Sequence, residues 1–311
     1  MSDLTRTIEI VTPSYAPDLA LFEDLHSSVV RFTAGEVRHR VIVPRRDEAL
    51  FTAIGSARLV VSTVDDVLPT SFVSVAAVTD MVRRLSRVSA IGKIQQLDLT
   101  RPWLPVRGWI VQQVVKIAIA AESTASVVLL ADSDLTFVST VAADDFLRDG
   151  VVRLYSRATG VHAGMADHLD WHRSARRLLG LDETVTPPLP DHICGLVAWD
   201  PRLVRSMVDH IAAVGGRHWI RCVTAERHVS EFILYGTYVA ELADTRDRSF
   251  LSDDPRCLSH WSTDTLMESD GLAFASAARP SDIAVQIQST SCTTPETRRY
   301  LTESVIARLA R

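Results

Sequence analysis

Lysine is almost missing from this chain: only Lys93 and Lys116 occur, so 31 of the 33 basic residues are arginines, scattered rather than gathered into a run. With 38 acidic residues the formal net charge is −5, and no basic tract offers the electrostatic footprint of a nucleic-acid or anionic-membrane surface. Cysteine is also scarce. Cys194, Cys222, Cys257 and Cys292 contain no C-x-x-C pair, which excludes a disulfide framework or a zinc ribbon and leaves the expectation of free thiols in a reducing cytoplasm. No uncharged apolar run of about 18 residues is present, and the first residues lack a basic segment leading into an apolar one, so neither a membrane span nor an export signal is expected. Glycine and proline, 13 each, are too few for a low-complexity chain. What remains is 311 residues, 47% hydrophobic, enough to bury a core without staples. Any phosphate such an acidic chain handles must be met locally, by a metal ion or a few placed donors.

The hydrophobic pattern alternates between two periods. Thr7–Val11 is a short β-branched run that breaks at Thr12-Pro13-Ser14-Tyr15, and Pro17-Asp18 opens an amphipathic stretch to about Val30. The unit recurs in His39–Val43 with Asp47–Ile54, in Arg58–Ser62 with a helical stretch near Val73–Leu85, and in Ile110–Glu122 leading into Ser126–Ala131. Strand alternating with helix predicts a largely parallel sheet covered on both faces. Later come a strand near Val151–Tyr155, a polar helix over His162–Leu179 and a Pro-rich loop at Thr186–Pro190. A buried strand follows at Ile193–Trp199, then helices capped by Asp200-Pro201 and by Ser230-Glu231. No repeat or linker interrupts the chain, so one α/β domain is expected, with a more elaborate second half.

The sharpest local feature is SVVLLADSDLTFV, in which a hydrophobic strand delivers Asp132 and Asp134 to its carboxyl end, separated by Ser133. That edge of an open parallel sheet is where ligands bind, and two carboxylates at i and i+2 can share one divalent cation; otherwise D-S-D merely ends the strand and caps a turn. Upstream, GWIVQQVVKIAIAAE places Gln112 and Lys116 at i, i+4 on one helix face, either toward a ligand or toward water.

In these residues the chain resembles the nucleotide-sugar glycosyltransferases of the GT-A fold, above all bacterial members with G-W-x-x-Q-Q-x-x-K followed by a strand ending in D-x-D. The matching residues are Gly108, Trp109, Gln112, Gln113, Lys116, Asp132, Ser133 and Asp134. IEIVTPSYAPD is similar to that fold's first strand and donor loop, and SEFILYGTYV to the acidic helix start that follows the D-x-D. The resemblance implies a GT-A-like, Rossmann-type, mostly parallel sheet flanked by helices, with a nucleotide-binding half over about residues 1–140 and an acceptor-binding half over about 141–311. It also implies a glycosyltransferase of the hexosyltransferase class, with Mn²⁺ or Mg²⁺ held by Asp132 and Asp134 against the diphosphate of a sugar nucleotide, a UDP-sugar being favoured, and a glycan or small molecule as acceptor. Asp134 is the expected metal ligand, Asp132 shares the ion or binds the ribose, and Thr12, Tyr15, Gln113 and Lys116 are expected at the nucleotide.

Glu231, at a helix start that favours an ionised carboxylate, is the expected base of an inverting transfer, although one acidic residue in a first turn is also ordinary capping chemistry. Many inverting members carry an acidic pair there, where this chain has Ser230-Glu231. His260 is a further metal-ligand candidate, since some members of the fold use a late histidine, and Asp191–Gly195 falls on the donor-sugar side. Two other readings compete. DSDLT also fits D-x-D-x-T, the nucleophile motif of haloacid-dehalogenase-type phosphohydrolases, with Asp253-Asp254 as the candidate later acidic pair; and a sugar-nucleotide-binding module can persist without chemistry.

Overall fold

A computed structural model describes residues 6–75, 94–100, 105–244 and 250–310. The amino-terminal units run β1 (Ile8–Pro13), α1 (Leu19–Phe32), β2 (Arg38–Val43), α2 (Glu48–Thr52), β3 (Leu59–Thr63) and α3 (Val64–Val67). A small antiparallel sheet of β4 (Phe72–Ser74), β5 (Ile94–Asp98) and β6 (Pro105–Arg107) leads into the long helix α4 (Gly108–Glu122), after which β7 (Val127–Ala131) returns to the main sheet. Then follow β8 (Leu135–Phe137), β9 (Leu147–Arg148), β10 (Val151–Tyr155), β11 (Arg157–Val161), α5 (Ala166–Leu178), β12 (Leu189–Asp191), β13 (Leu196–Trp199), α6 (Pro201–Gly215), α7 (Trp219–Val223) and α8 (Glu231–Glu241). The chain closes with β14 (Phe250–Ser252), β15 (Cys257–His260), α9 (Gly271–Ser276), β16 (Ala284–Ile287) and α10 (Pro295–Leu309).

The central sheet has the order β13-β7-β1-β2-β3. Four strands are parallel, while β13 runs antiparallel against β7 with Leu196 opposite Ala131. Both faces are covered, as the alternation of side chains requires. Val11, Val128 and Leu130 enter one core with α4, α6 and α8; Ile10, Val127 and Leu129 enter the other with Phe22, Leu25 and Val29 of α1. The fold is therefore mixed α/β with a parallel-rich sheet flanked by helices. The helical stretch expected from Val73 does not begin there: Phe72–Ser74 is a strand paired with Gln96–Asp98, and the rest of that stretch, from residue 76, lies outside the described residues.

The chain steps from β1 to β2 to β3 in one direction and then crosses to β7 on the other side of β1. At such a reversal the flanking connections diverge and leave a crevice beyond the carboxyl ends of the two strands. Ser14 ends β1 there and Ser133 ends β7, with the Ser133 hydroxyl 2.9 Å from that of Ser14. A second sheet, β15-β16-β8, abuts this edge because β8 begins one residue after Asp134. No helix among the described residues is long and apolar enough to cross a membrane.

Candidate active site

A cleft of about 930 Å³ opens over the carboxyl ends of the parallel strands, a volume within the range of small-molecule sites. Pro13, Ser14 and Tyr15 after β1, Pro44 after β2, Val64 after β3, and Gly108 and Gln112 from the first turns of α4 form its walls, with Trp171 of α5 across from them. Asp18 lines it too, beside the D-S-D segment.

Neither carboxylate of D-S-D caps the turn it sits in. Asp132, its side chain 47% exposed, is held by the Lys116 ammonium at 2.8 Å. Lys116 is itself buried in α4, and its ammonium also donates to Glu231 Oε1 at 3.0 Å and lies 5.0 Å from the centre of the Phe232 ring. Burial acts to lower the lysine pKa, but the two carboxylates outweigh it and hold it above the ordinary value, so the amine stays charged. Asp134 reaches 155 residues along the chain: its carboxylate accepts from Ser289 N at 2.8 Å and from Gln286 Nε2 at 3.2 Å. Burial first, and the Asp132 charge second, push its carboxyl up to about 6. Asp18 is raised for the same two reasons, with the Arg298 guanidinium pulling the other way. Arg298 is largely buried and donates to the carbonyls of Ile287, Gln288 and Thr293, which fixes the loop that presents Ser289.

The structure separates the other expected residues. Tyr15 lines the cleft, as does Gln112. Thr12 is buried and its hydroxyl lies 2.9 Å from His39 Nε2; Gln113 is buried and its amide oxygen accepts from Glu231 N at 3.1 Å. Glu231, the expected base, is 1% exposed and is not among the residues that line the cleft. Its carboxyl is raised by burial and drawn back by Lys116. His260 stands in register with Ile287 of β16, the residue whose N–H bonds the Asp134 carbonyl, and its Nε2 contacts Asp264 O at 2.9 Å. Two strand spacings, about 10 Å, thus separate it from Asp134. Among the described residues no three His, Cys, Asp or Glu side chains form a group that could hold a metal ion.

The Asp191–Gly195 segment packs beside the same edge. A Cβ at Gly195 would lie 2.6 Å from Gln286 Oε1 and 2.8 Å from both Cys257 Sγ and Ser259 Oγ, so only glycine lets this backbone approach β15 and β16. His192 is buried, its Nδ1 donating to the Tyr155 carbonyl at 3.0 Å, which leaves Nε2 as the unprotonated nitrogen. Asp254 is committed elsewhere: it accepts from Arg256 N and pairs with Arg279.

Residues the sequence did not single out include His26 and His39, whose Nδ1 atoms lie 3.0 Å apart beneath β1. A signal existed for His39, since it shares the inward face of β2 with Val41 and Val43. Trp171, and Arg227 from the loop before α8, also line the cleft; nothing local in the sequence marks them.

The cleft and the neighbouring carboxylates lie at the strand-order reversal of a doubly covered, mostly parallel α/β sheet, the edge where open sheets of this class bind ligands. The chain belongs to the family of unknown function DUF6492, whose sequence model matches residues 5–299. No curated protein sequence matches it. Solved structures of similar shape include two glycosyltransferases. Mouse xyloside xylosyltransferase 1, in its apo form, has a TM-score of 0.45 and 11% identity over 93% of this chain and 100% of that one. The apo bifunctional glycosyltransferase WbbM also has a TM-score of 0.45 and 11% identity, covering 98% of this chain, which spans 50% of that chain. At such scores neither likeness bears on activity.

Proposed function

We propose that the chain is a metal-dependent glycosyltransferase that moves a sugar from a nucleotide-diphosphate sugar to an acceptor hydroxyl. The observation that carries this reading is the D-S-D pair at the β1/β7 carboxyl edge, beside a cleft lined by Ser14, Asp18 and Ser289, with Asp132 held by Lys116 and Asp134 by Ser289 N–H rather than capping their own turn. Asp132 and Asp134 are hard oxygen donors that stand close enough to repel one another. They fit Mn²⁺ or Mg²⁺, bound by a carboxylate pair and completed by phosphate oxygens and water; when bound, the ion supplies neutralisation of the departing diphosphate.

The chain's own residues do the rest. Lys116 holds the Asp132 carboxylate at the strand edge, while Tyr15 lines the wall along which the nucleoside lies. In the transfer the acceptor oxygen bonds to the anomeric carbon as the bond to the diphosphate oxygen breaks, and the acceptor proton leaves to a base. We assign Glu231 to holding Lys116 rather than to taking that proton, because it is buried and its near oxygen already carries the ammonium. The phosphohydrolase reading gains nothing from this geometry, since Asp254 is bound into its own turn.

Isothermal titration of the full chain with UDP, with and without Mn²⁺, tests the reading. Binding should require the metal, and Asp134→Asn should weaken it at least about 100-fold while the melting temperature stays within a few degrees. Metal-independent binding, unchanged affinity in Asp134→Asn, or no binding of any nucleoside diphosphate would overturn it.

A further inference from the structure

Trp109 belongs to a helix in which most residues are buried, yet half of its own surface is exposed. It stands in the cleft wall beside Trp171 of α5, the two ring systems 6.2 Å apart and 18° from parallel. The indole N–H of Trp109 donates to the Val229 carbonyl at 3.1 Å, so its polar atom is satisfied and the orientation of the ring is fixed. What the pair presents to the cleft is a rigid aromatic face.

The cleft lining carries charge of both signs, Asp167 on the side of Trp171 and several arginines. Arg45, on the far rim, is matched by Asp65 and Asp66, whereas Arg107 and Arg227, which line the cleft near Trp109, make no ion pair among the described residues. Arg107 precedes Trp109 by two residues, and Arg227 precedes Val229 by two. Two guanidinium groups thus stand beside one aromatic wall without an ion pair among the described residues. A guanidinium fork matches a carboxylate in bidentate fashion.

Helix α4 supplies the ruler. Lys116, which touches Asp132, follows Trp109 by seven residues, two helical turns and about 10 Å along the axis. The tryptophan wall therefore stands one sugar ring beyond the place where a donor sugar joins its diphosphate. A pyranose has an apolar C–H face that lies flat on an indole and hydroxyls around its edge, for which Gln112 and Asp167 offer hydrogen-bonding partners in the same wall.

Resting on the transferase reading, we propose that the Trp109–Trp171 wall is the acceptor subsite and that it takes a glycan whose terminal ring carries a carboxylate, bound by Arg107 and Arg227. The nucleobase lies instead by Tyr15, where β1 ends.

The test needs no donor. Titration of the full chain with oligosaccharides of uronic acids and with neutral ones of equal length, followed by tryptophan fluorescence and calorimetry, should show the acidic series binding at least about tenfold tighter. Trp109→Ala should lose about tenfold in glycan affinity, Trp109→Phe should retain most of it, and Arg227→Gln should abolish the preference for acidic over neutral chains. Affinity for UDP with Mn²⁺ should stay within about twofold in all three. Equal binding of the two series overturns the proposal, and so does a Trp109→Phe or Trp109→Ala variant that loses UDP rather than glycan. UDP binding without any glycan binding removes the subsite and leaves the transferase reading standing; loss of both removes both.

Discussion

Lys116 shows how much one residue can do in a chain nearly without lysine. Its ammonium bridges Asp132 and Glu231 from inside α4, and removing one partner of such a buried pair typically costs about 3–5 kcal/mol because the other charge is stranded. Glu231→Gln strands less, since Asp132 still compensates the amine, and should cost about 1–3 kcal/mol in a denaturant titration. The same variant separates two roles. A residue that positions Lys116 should lower metal-dependent donor affinity together with turnover, and this is the expected outcome; a base should lower kcat at least about 100-fold with donor affinity intact. Product from the wild-type chain with the donor's anomeric configuration inverted, together with that second pattern, would return Glu231 to the chemistry. The spacing of Gln112 and Lys116 on one helix face was legible in the sequence, but that Lys116 points inward was not. Its partner Glu231 lies 115 residues away, beyond the reach of any periodicity.

The strands of the main sheet announce themselves as β-branched runs because both of their faces are buried. Their directions do not. Nothing in ICGLVAW encodes that β13 runs against β7, since strand polarity follows from the connection and not from the side chains. Near Val73 the strand Phe72–Ser74 was not legible, because its partner lies some twenty residues later in β5. Both caps were readable: Asp200 accepts from Arg202 N at 2.8 Å, and Ser230 from Ile233 N at 3.4 Å. Helix α8 carries a less visible constraint. A Cβ at Gly236 would lie 2.3 Å from the His192 ring, which the Tyr155 carbonyl holds in place. Replacing a helical glycine by alanine ordinarily gains up to about 1 kcal/mol, but overpacking here costs about 1–3 kcal/mol. Gly236→Ala should therefore lower the unfolding midpoint, and a rise would show that His192 can move aside.

For the molecule as a whole, histidines set the response to acid. Burial lowers the pKa of His26, His39, His172 and His192, and the Nδ1 atoms of His26 and His39 face each other at 3.0 Å, an arrangement that two protonated rings cannot keep. A histidine whose folded pKa lies below its unfolded value near 6.5 contributes stability above that value and loses it as pH falls toward the folded pKa. Each such group removes up to about 1.4 kcal/mol per pH unit below about 6.5. Asp134 has the opposite sign: its raised carboxyl stabilises the fold at low pH and loses that contribution as pH rises through about 6. Asp18, Glu226 and Glu231 share the sign of Asp134, but only the histidines have ordinary values near 6.5, inside the window, so the melting temperature should fall between pH 7 and pH 5 and His39→Gln should flatten that fall; a melting temperature that rises on acidification would contradict this balance. The bridge at Lys116 has one more consequence. It joins a carboxylate at residue 132 to one at residue 231, so the two halves of the chain share a single proton donor. On the proposed reading, a cation bound by Asp132 would leave the ammonium wholly to Glu231. Occupancy of the site would then be felt in the anchoring of α8 through the reallocation of one charge.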